Sequence, residues 1–510
     1  MNTYASIHIG SYGISLKVFE IVKGKRIRQI DALRRRMNLA RDILTYGKLS
    51  KENLLLAVDT LGEMKETIET YRADDYDVYA GNALLSAENV QTLIDQVEIS
   101  CGLHIEILDN SRQRFLLYKA LCSVKDFGEI VKSRTVLVDV GGSGLQLSLF
   151  SKGRLVTTQH ASFGAANVWE DLKKLRQSAD YREQLLSMLY TEIEEFYDTF
   201  LEKRPPQKLI IINNPLVSVS QARAKKQDGH LTAGEYLKVI KKSLKDNVYN
   251  VSEEEISEDV SDTRLSFLLL YQAVVERIPV EDVYVPPVSL HEGMVYEYAY
   301  TNKLLTLPRD FDGDVFSEAQ TIAERFHSNG KHIETLRSFA EQLYDAIKKR
   351  HGLSERSRLL LSVAAILHDC GKYISLADDA RCTYTIITAS EILGLSDKER
   401  EMIAWICYFY KGGIAPYQEL SDKFTREEYF TLLKLHAILN VAGALDRSHG
   451  RKNKDIHFRF NGRDELSIVI DTQDSLALEK GMFEERASVF EDIFAIRPIL
   501  KTVRIRRKPQ

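Results

Sequence analysis

The sequence predicts a multidomain fold: two α/β domains built on one plan, then an all-helical domain and a small α+β subdomain. Three observations carry this. At 510 residues the chain exceeds what one hydrophobic core supports, since cores stop growing at roughly 250–300 residues. Strand, glycine turn and strand occur twice, in "HIGSYGISLKVF" and "DVGGSGLQLSLF", the pattern of a duplicated domain with a phosphate-sized cleft between its halves. Beyond Phe316 the apolar spacing is helical almost without a break to about Ser448. The divisions expected are 1–128 and 129–300 for the paired α/β domains, 301–315 for a linker, 316–452 for the helical domain and 453–510 for the α+β end.

The first domain opens with "YASIHIGSYGISLKVFEIVKG", two strand-like segments about a Gly-Ser turn, hence a hairpin. Helical spacing follows from Ser50 to about Ala73, then the strand "DVYAGN", a helix from about Ala87 to Cys101, and the strand "HIEILD". From Thr135 the plan restarts: strand, glycine turn, strand, "GRLVTTQHAS" as a third strand, a helical region to about Lys203, the strand "KLIIINN", and helices to about Arg277. Between Val285 and Asp314, "VPP" and "LPRDFDGD" with little apolar periodicity read as a hinge or linker. The last sixty or so residues return to strand character in "DIHFRFNGRDELSIVID", turning at "NGRD", and end in a helix and a strand.

Composition narrows the function classes. The chain is 44% hydrophobic and 28% charged with a formal net charge of -4, which offers nucleic acid or an anionic membrane no global attraction. A polyanion must meet a local basic surface; Arg34, Arg35 and Arg36 or the tail "VRIRRKPQ" can supply one, or can be solvated charge at a domain edge. Five cysteines without CxxC spacing, and a start lacking a basic leader and an apolar signal core, predict a cytoplasmic protein. "RLSFLLLYQAVV" falls short of the roughly 18 apolar residues of a membrane span and predicts a buried helix.

A backbone that approaches phosphate oxygens needs glycine, because a Cβ would block the approach and the amides must donate to the anion. Gly10 and Ser11 in the first turn and Gly141, Gly142, Ser143 and Gly144 in the second are the candidate phosphate-binding residues. Plain tight turns are the alternative for each; two such turns opening two repeated units favour phosphate.

Here the chain resembles the Ppx/GppA family of exopolyphosphatases and guanosine pentaphosphate phosphohydrolases, within the actin-like ATPase superfamily (ASKHA, a ribonuclease H-like fold). "IGSYGISLKVFEI", "YGKLS", "AGNALLSAEN", "IEILDNSRQRFLLYKA", "VLVDVGGSGLQLSLF", "ASFGAAN" and "SLHEGMVYEYA" carry the resemblance. It implies duplicated actin-like domains, a polyphosphate or guanosine polyphosphate partner such as pppGpp, Mg²⁺ in the cleft and a homodimer. The family's acids are replaced, however. Its first-strand Asp is His8, with Tyr12 and Gly13 after the turn; its expected Arg is Leu85; its catalytic glutamate pair aligns with Arg112 and Gln113, after Asp109 and Asn110; and its second-loop Glu is Gln146. Asp139 remains as the one candidate metal carboxylate of the cleft, and Glu106 lies on a strand position before the catalytic turn.

Hydrolysis of a phosphoanhydride needs a carboxylate to orient or deprotonate water, and usually Mg²⁺ to offset phosphoryl charge. Losing one general base costs about 10²–10⁴ in rate. The same replacements remove like-charge repulsion against a polyanion, so a cleft that binds without cleaving is the alternative expectation.

In the helical half "SVAAILHDCGKYI" places His368 beside Asp369, with His332 upstream in "NGKHIETL" and Asp446 downstream in "VAGALDRSH". Two imidazoles and two carboxylates suit Mn, Fe, Zn or Mg with positions left for water; a hydrogen-bonded core between helices is the alternative. The order resembles the HD phosphohydrolase superfamily and implies an HD-like domain. Cys382 and Tyr410 stand where two further histidines are expected, which argues for one metal rather than two. Three functions follow as expectations: a weakened or inactive Ppx/GppA-type phosphohydrolase, a non-catalytic polyanion-binding or sensory protein, and a metal-dependent phosphohydrolase at the HD-like site.

Overall fold

The computed structural model describes the chain apart from residues 1, 11–12, 25, 38, 125, 142–143, 176–179, 213–228, 246–257, 307, 447–454, 472–475 and 504–510. It divides into two compact units, Met1–Phe311 and Asp312–Gln510. Ser11, Gly142, Ser143 and the basic tail 504–510 lie outside the described residues.

The first unit contains two sheets that repeat one plan. In the first, β1 (Asn2–Gly10), β2 (Gly13–Val22), β3 (Arg26–Arg36), β4 (Asp75–Ala80) and β5 (Glu106–Ile107) take the order β3-β2-β1-β4-β5. The meander β1–β3 is antiparallel, and β4 and β5 run parallel to β1. In the second, β6 (Thr135–Val140), β7 (Leu145–Ser151), β8 (Arg154–Ala161), β9 (Lys208–Ile212), β10 (His230–Thr232) and β11 (Asp282–Tyr284) take the order β10-β11-β9-β6-β7-β8. Its meander is β6–β8, with β9 and β11 parallel to β6 and β10 antiparallel at the far edge. Every residue of β6 is buried, as a strand covered on both faces requires.

Strand register lines up equivalent residues of the two halves. His8 pairs with Ser15, and Ser15 with Arg34; Asp139 pairs with Gln146, and Gln146 with His160. Directly opposed residues share a sheet face, so each half carries one polar row beside its glycine turn. The basic run Arg34–Arg36 is the exposed end of edge strand β3, which keeps an open sheet edge charged.

Two expectations change. The stretch read as a hinge starts directly after β11 and contains a helix, Leu290–Thr301. That helix buries Leu290, His291, Gly293, Met294, Val295 and Ala299, so it is covered from several sides and shows no one-sided apolar stripe for periodicity to find. It packs on β1 and on the helix Asn110–Ala120, although its place in the chain follows the second half. The approach is close enough that a Cβ at Gly293 would stand 2.0 Å from the Leu116 carbonyl oxygen. The strands β3, β10 and β11 were also not expected; the latter two are three residues each.

In the second unit, helices Gly330–Ala346, Glu355–Leu367, Asp379–Ala389, Asp397–Tyr408 and Arg426–Leu445 surround one core. The three-stranded sheet of β12 (Asp455–Asn461), β13 (Glu465–Asp471) and β14 (Arg497–Val503) shares that core through Ile456, Leu466, Ile468 and Ile470, with the helix Ala477–Phe494 joining parallel strands β13 and β14. The segment "RLSFLLLYQAVV" belongs to the helix Glu258–Arg277 and is largely buried, and none of the described helices is long and apolar enough to cross a membrane.

Candidate functional site

The first candidate lies in the first unit, where the helix Asn110–Ala120 brings Gln113 near Gly81 and His8, and Arg114 to His160. Asp109 caps this helix by accepting the Arg112 amide at 2.6 Å; a carboxylate so used is a cap. Arg112, where the resemblance leads one to expect a catalytic glutamate, joins Glu297 through both guanidinium nitrogens, the Nη1–Oε1 bond being 3.0 Å. Lys119 Nζ adds a 2.6 Å bond to Glu297 Oε1. Both oxygens of Glu297 are therefore held by cations. Glu106 sits exposed on β5, paired in register with Tyr79, and Leu85 is 53% exposed.

Gln113 faces the first sheet. A Cβ at Gly81 would stand 3.4 Å from Gln113 Oε1 and 4.0 Å from His8 Nε2, so the three converge. Burial, then the charge of Arg34, lowers the His8 pKa to about 4, and the ring is neutral at pH 7. Behind it His291 accepts or donates between Ser6 Oγ at 2.7 Å and Ser15 Oγ at 2.9 Å. His8 also lies over its own turn, with Cε1 3.2 Å from the Cβ position of Gly10.

Asp139 is buried on β6, beside Gln146 on β7. Gln146 Nε2 donates to Ser148 Oγ at 3.3 Å, while its buried Oε1 has no hydrogen-bond partner. A carboxylate and an orphaned amide oxygen on neighbouring strands are hard oxygen donors of the kind Mg²⁺ takes with its waters, so these residues fit the ion. The glycine turn itself differs from the expectation. Gly141 spends its amide on the Gly144 carbonyl at 2.8 Å, and cannot give that donor to an anion. Over Gly144 lies the ring of His160, Cε1 2.1 Å from where a Cβ would be. Arg114 reaches His160 Nδ1 at 2.9 Å.

The second candidate is a buried centre in the second unit. His332 stands in the first turn of its helix, capped by Asn329; His368 and Asp369 follow Leu367 at a helix end; Asp446 is the C-cap of Arg426–Leu445. Three helix ends thus bring four residues together from positions far apart in sequence. Donor atoms of His332, His368 and Asp369 lie within 4.8 Å of one another. His332 Nδ1 donates to Asp446 Oδ2 at 2.7 Å. His368 Nδ1 donates to the Ala365 carbonyl at 2.9 Å, which leaves Nε2 as a lone-pair nitrogen; that nitrogen is buried without a hydrogen-bond partner.

Burial lowers the His368 pKa to about 4, so the ring presents its lone pair at neutral pH. Burial alone would raise the Asp369 carboxyl, but His368 and the bond from Lys372, 2.7 Å long, outweigh it and hold the pKa below the ordinary range. Two imidazoles and two carboxyl groups with one orphaned nitrogen fit a divalent ion. Tyr410 packs its ring edge against His368, centroids 4.9 Å apart, and Cys382 is partly exposed on the helix Asp379–Ala389. His160, Arg114, His291 and Glu297 were not singled out from sequence. The segment "SLHEGMVYEYA" held the signal for the last two.

A family model described as the Ppx/GppA phosphatase family matches residues 17–302, and one described as Ppx/GppA phosphatase, domain III, matches residues 317–485. Among solved structures, an exopolyphosphatase from Cytophaga hutchinsonii is 17% identical with a TM-score of 0.50, covering 60% of this chain and 100% of its own. A Ppx/GppA family member from Aquifex aeolicus is 17% identical with a TM-score of 0.47, covering 59% of this chain and 98% of its own.

Proposed function

We propose that this chain, which belongs to the Ppx/GppA phosphatase family, holds a phosphoanhydride polyanion in the cleft of its first unit and hydrolyses it slowly or not at all. Polyphosphate and guanosine polyphosphates such as pppGpp are the candidate ligands. One observation carries the proposal: where the family resemblance expects acids, the cleft presents neutral His8, Gln113 and Gln146, and an Arg112 already paired with Glu297. Glu297 cannot serve as a base in their place while Arg112 and Lys119 hold its oxygens.

Asp139 and Gln146 would hold hydrated Mg²⁺, which supplies charge neutralisation to phosphoryl oxygens when bound. The chain's own contribution is then positioning. His8 and Gln146 add no negative charge to repel the ligand. Calorimetric titration with tripolyphosphate in Mg²⁺ tests this: saturable heat is expected, and no heat with tripolyphosphate, pppGpp or ppGpp overturns it.

A second reading rests on the orphaned His368 Nε2 among His332, Asp369 and Asp446. It supports a single divalent metal in the second unit and, with it, a metal-dependent phosphohydrolase activity separate from the cleft. Metal analysis of wild type against a His368→Ala, Asp369→Ala variant tests it.

A further inference from the structure

Three consecutive residues at the end of the first unit, Arg309, Asp310 and Phe311, hold side chains from both of its halves. The guanidinium of Arg309 lies over three rings, 5.5 Å from the centroids of Tyr118 and Phe127 and 5.1 Å from that of Phe150. Its Nε also donates to the Tyr118 hydroxyl. Phe311 stands edge-on to Phe115 and Tyr118, with ring centroids 5.5 and 5.1 Å away. Asp310 accepts a bond from Arg154 Nη1 at 2.9 Å.

Phe115 and Tyr118 belong to the helix Asn110–Ala120 of the first half, whereas Phe150 and Arg154 stand on β7 and β8 of the second sheet. The two halves already meet ring to ring here, Tyr118 lying 5.7 Å from Phe150. A guanidinium is drawn to a ring face only within about 6 Å, so Arg309 cannot follow Tyr118 and Phe150 apart. Any parting of the halves at this junction strips it of one set of contacts. The helix it holds also brings Gln113 near His8 and Arg114 to His160, so the arrangement of the cleft depends on the same helix.

We propose that Arg309 and Phe311 form a strap that locks the two halves of the first unit together, and that the cleft changes shape about this junction only by releasing it. The pair of Asp310 with Arg154 is at least half exposed on both sides and adds little, because solvent screens it. The lock concerns the shape of the first unit and stands whether or not the cleft takes an anion.

Pulsed dipolar spectroscopy on the full chain reads the lock, with nitroxides attached through p-acetylphenylalanine at the exposed positions of Asp95 and Glu183, one in each half. Wild type is expected to give one narrow distance distribution. Arg309→Ala combined with Phe311→Ala should raise the share of parted arrangements about tenfold, the worth of a cation–π contact and an edge-to-face ring pair. The distribution then broadens or gains a second peak. Arg309→Gln, which removes only the guanidinium, should do the same to a smaller extent, and Arg154→Ala should leave the wild-type distribution. Wild-type width in both Arg309 variants overturns the strap, and so does broadening in Arg154→Ala as large as in the double variant. A distribution already broad in wild type overturns the lock outright.

Discussion

Arg112 closes on both oxygens of Glu297, joining the first turn of the helix Asn110–Ala120 to the helix Leu290–Thr301. A position at which the family resemblance expects a catalytic acid is thus occupied by a base with a structural partner. The charge reversal is compensated locally, which is why the fold tolerates it.

Arg112→Gln should cost about 1–3 kcal/mol, because it leaves a largely buried Glu297 with Lys119 alone. Thermal unfolding of the variant measures this. No shift in Tm would mean that solvent, rather than Arg112, satisfies Glu297.

Gly293→Ala should destabilise the first unit by about 1–3 kcal/mol or more, since the added Cβ meets the Leu116 backbone, its carbonyl carbon at 2.5 Å. Neither neighbour is a flexible side-chain end. An unchanged midpoint in urea unfolding would contradict the close helix approach.

The glycine turns, the duplicated strand plan and the four residues of the second-unit centre were legible in the sequence because each depends on local pattern or residue type. His332, His368, Asp369 and Asp446 are all polar residues at the ends of apolar helices, where they stand out. The Arg112–Glu297 pair was not legible: its partners are 185 positions apart and Glu297 lies on a helix without a one-sided stripe. His160 over Gly144 was equally hidden, since β-register, not spacing along the chain, puts it there. Tyr271 shows the same limit; burial, then Tyr236 and Asp139, raise its pKa well above the ordinary value, yet it was read only as part of an apolar helix.

Protein equilibrated with Mn²⁺ and then dialysed should retain the metal, and the His368→Ala, Asp369→Ala variant should not. Mn²⁺ at a hundred times its Kd should stabilise wild type by about 2.7 kcal/mol, read as a rise in Tm that the variant lacks. Equal metal content in both proteins would remove the site.

Acid should destabilise the metal-free protein over a defined window. Burial lowers the His436 pKa from 6.5 to about 4, against the bond to the Phe409 carbonyl, and lowers that of His8 likewise. The folded state refuses protons that the unfolded chain accepts, so stability is flat above about pH 6.5 and falls as pH drops toward 4. Each histidine contributes a slope of up to about 1.4 kcal/mol per pH unit there. Urea unfolding at pH 7.5, 6 and 5 measures the slope, and His436→Leu should reduce it. A slope unchanged in that variant would contradict a neutral, buried His436.

Phosphate release from tripolyphosphate under saturating ligand and Mg²⁺, compared between wild type and Asp139→Ala, tests the central claim most directly. A cleft that binds without an effective base predicts saturable binding in wild type with release close to that of the variant. Rapid multiple turnover in wild type, abolished by Asp139→Ala, would contradict it.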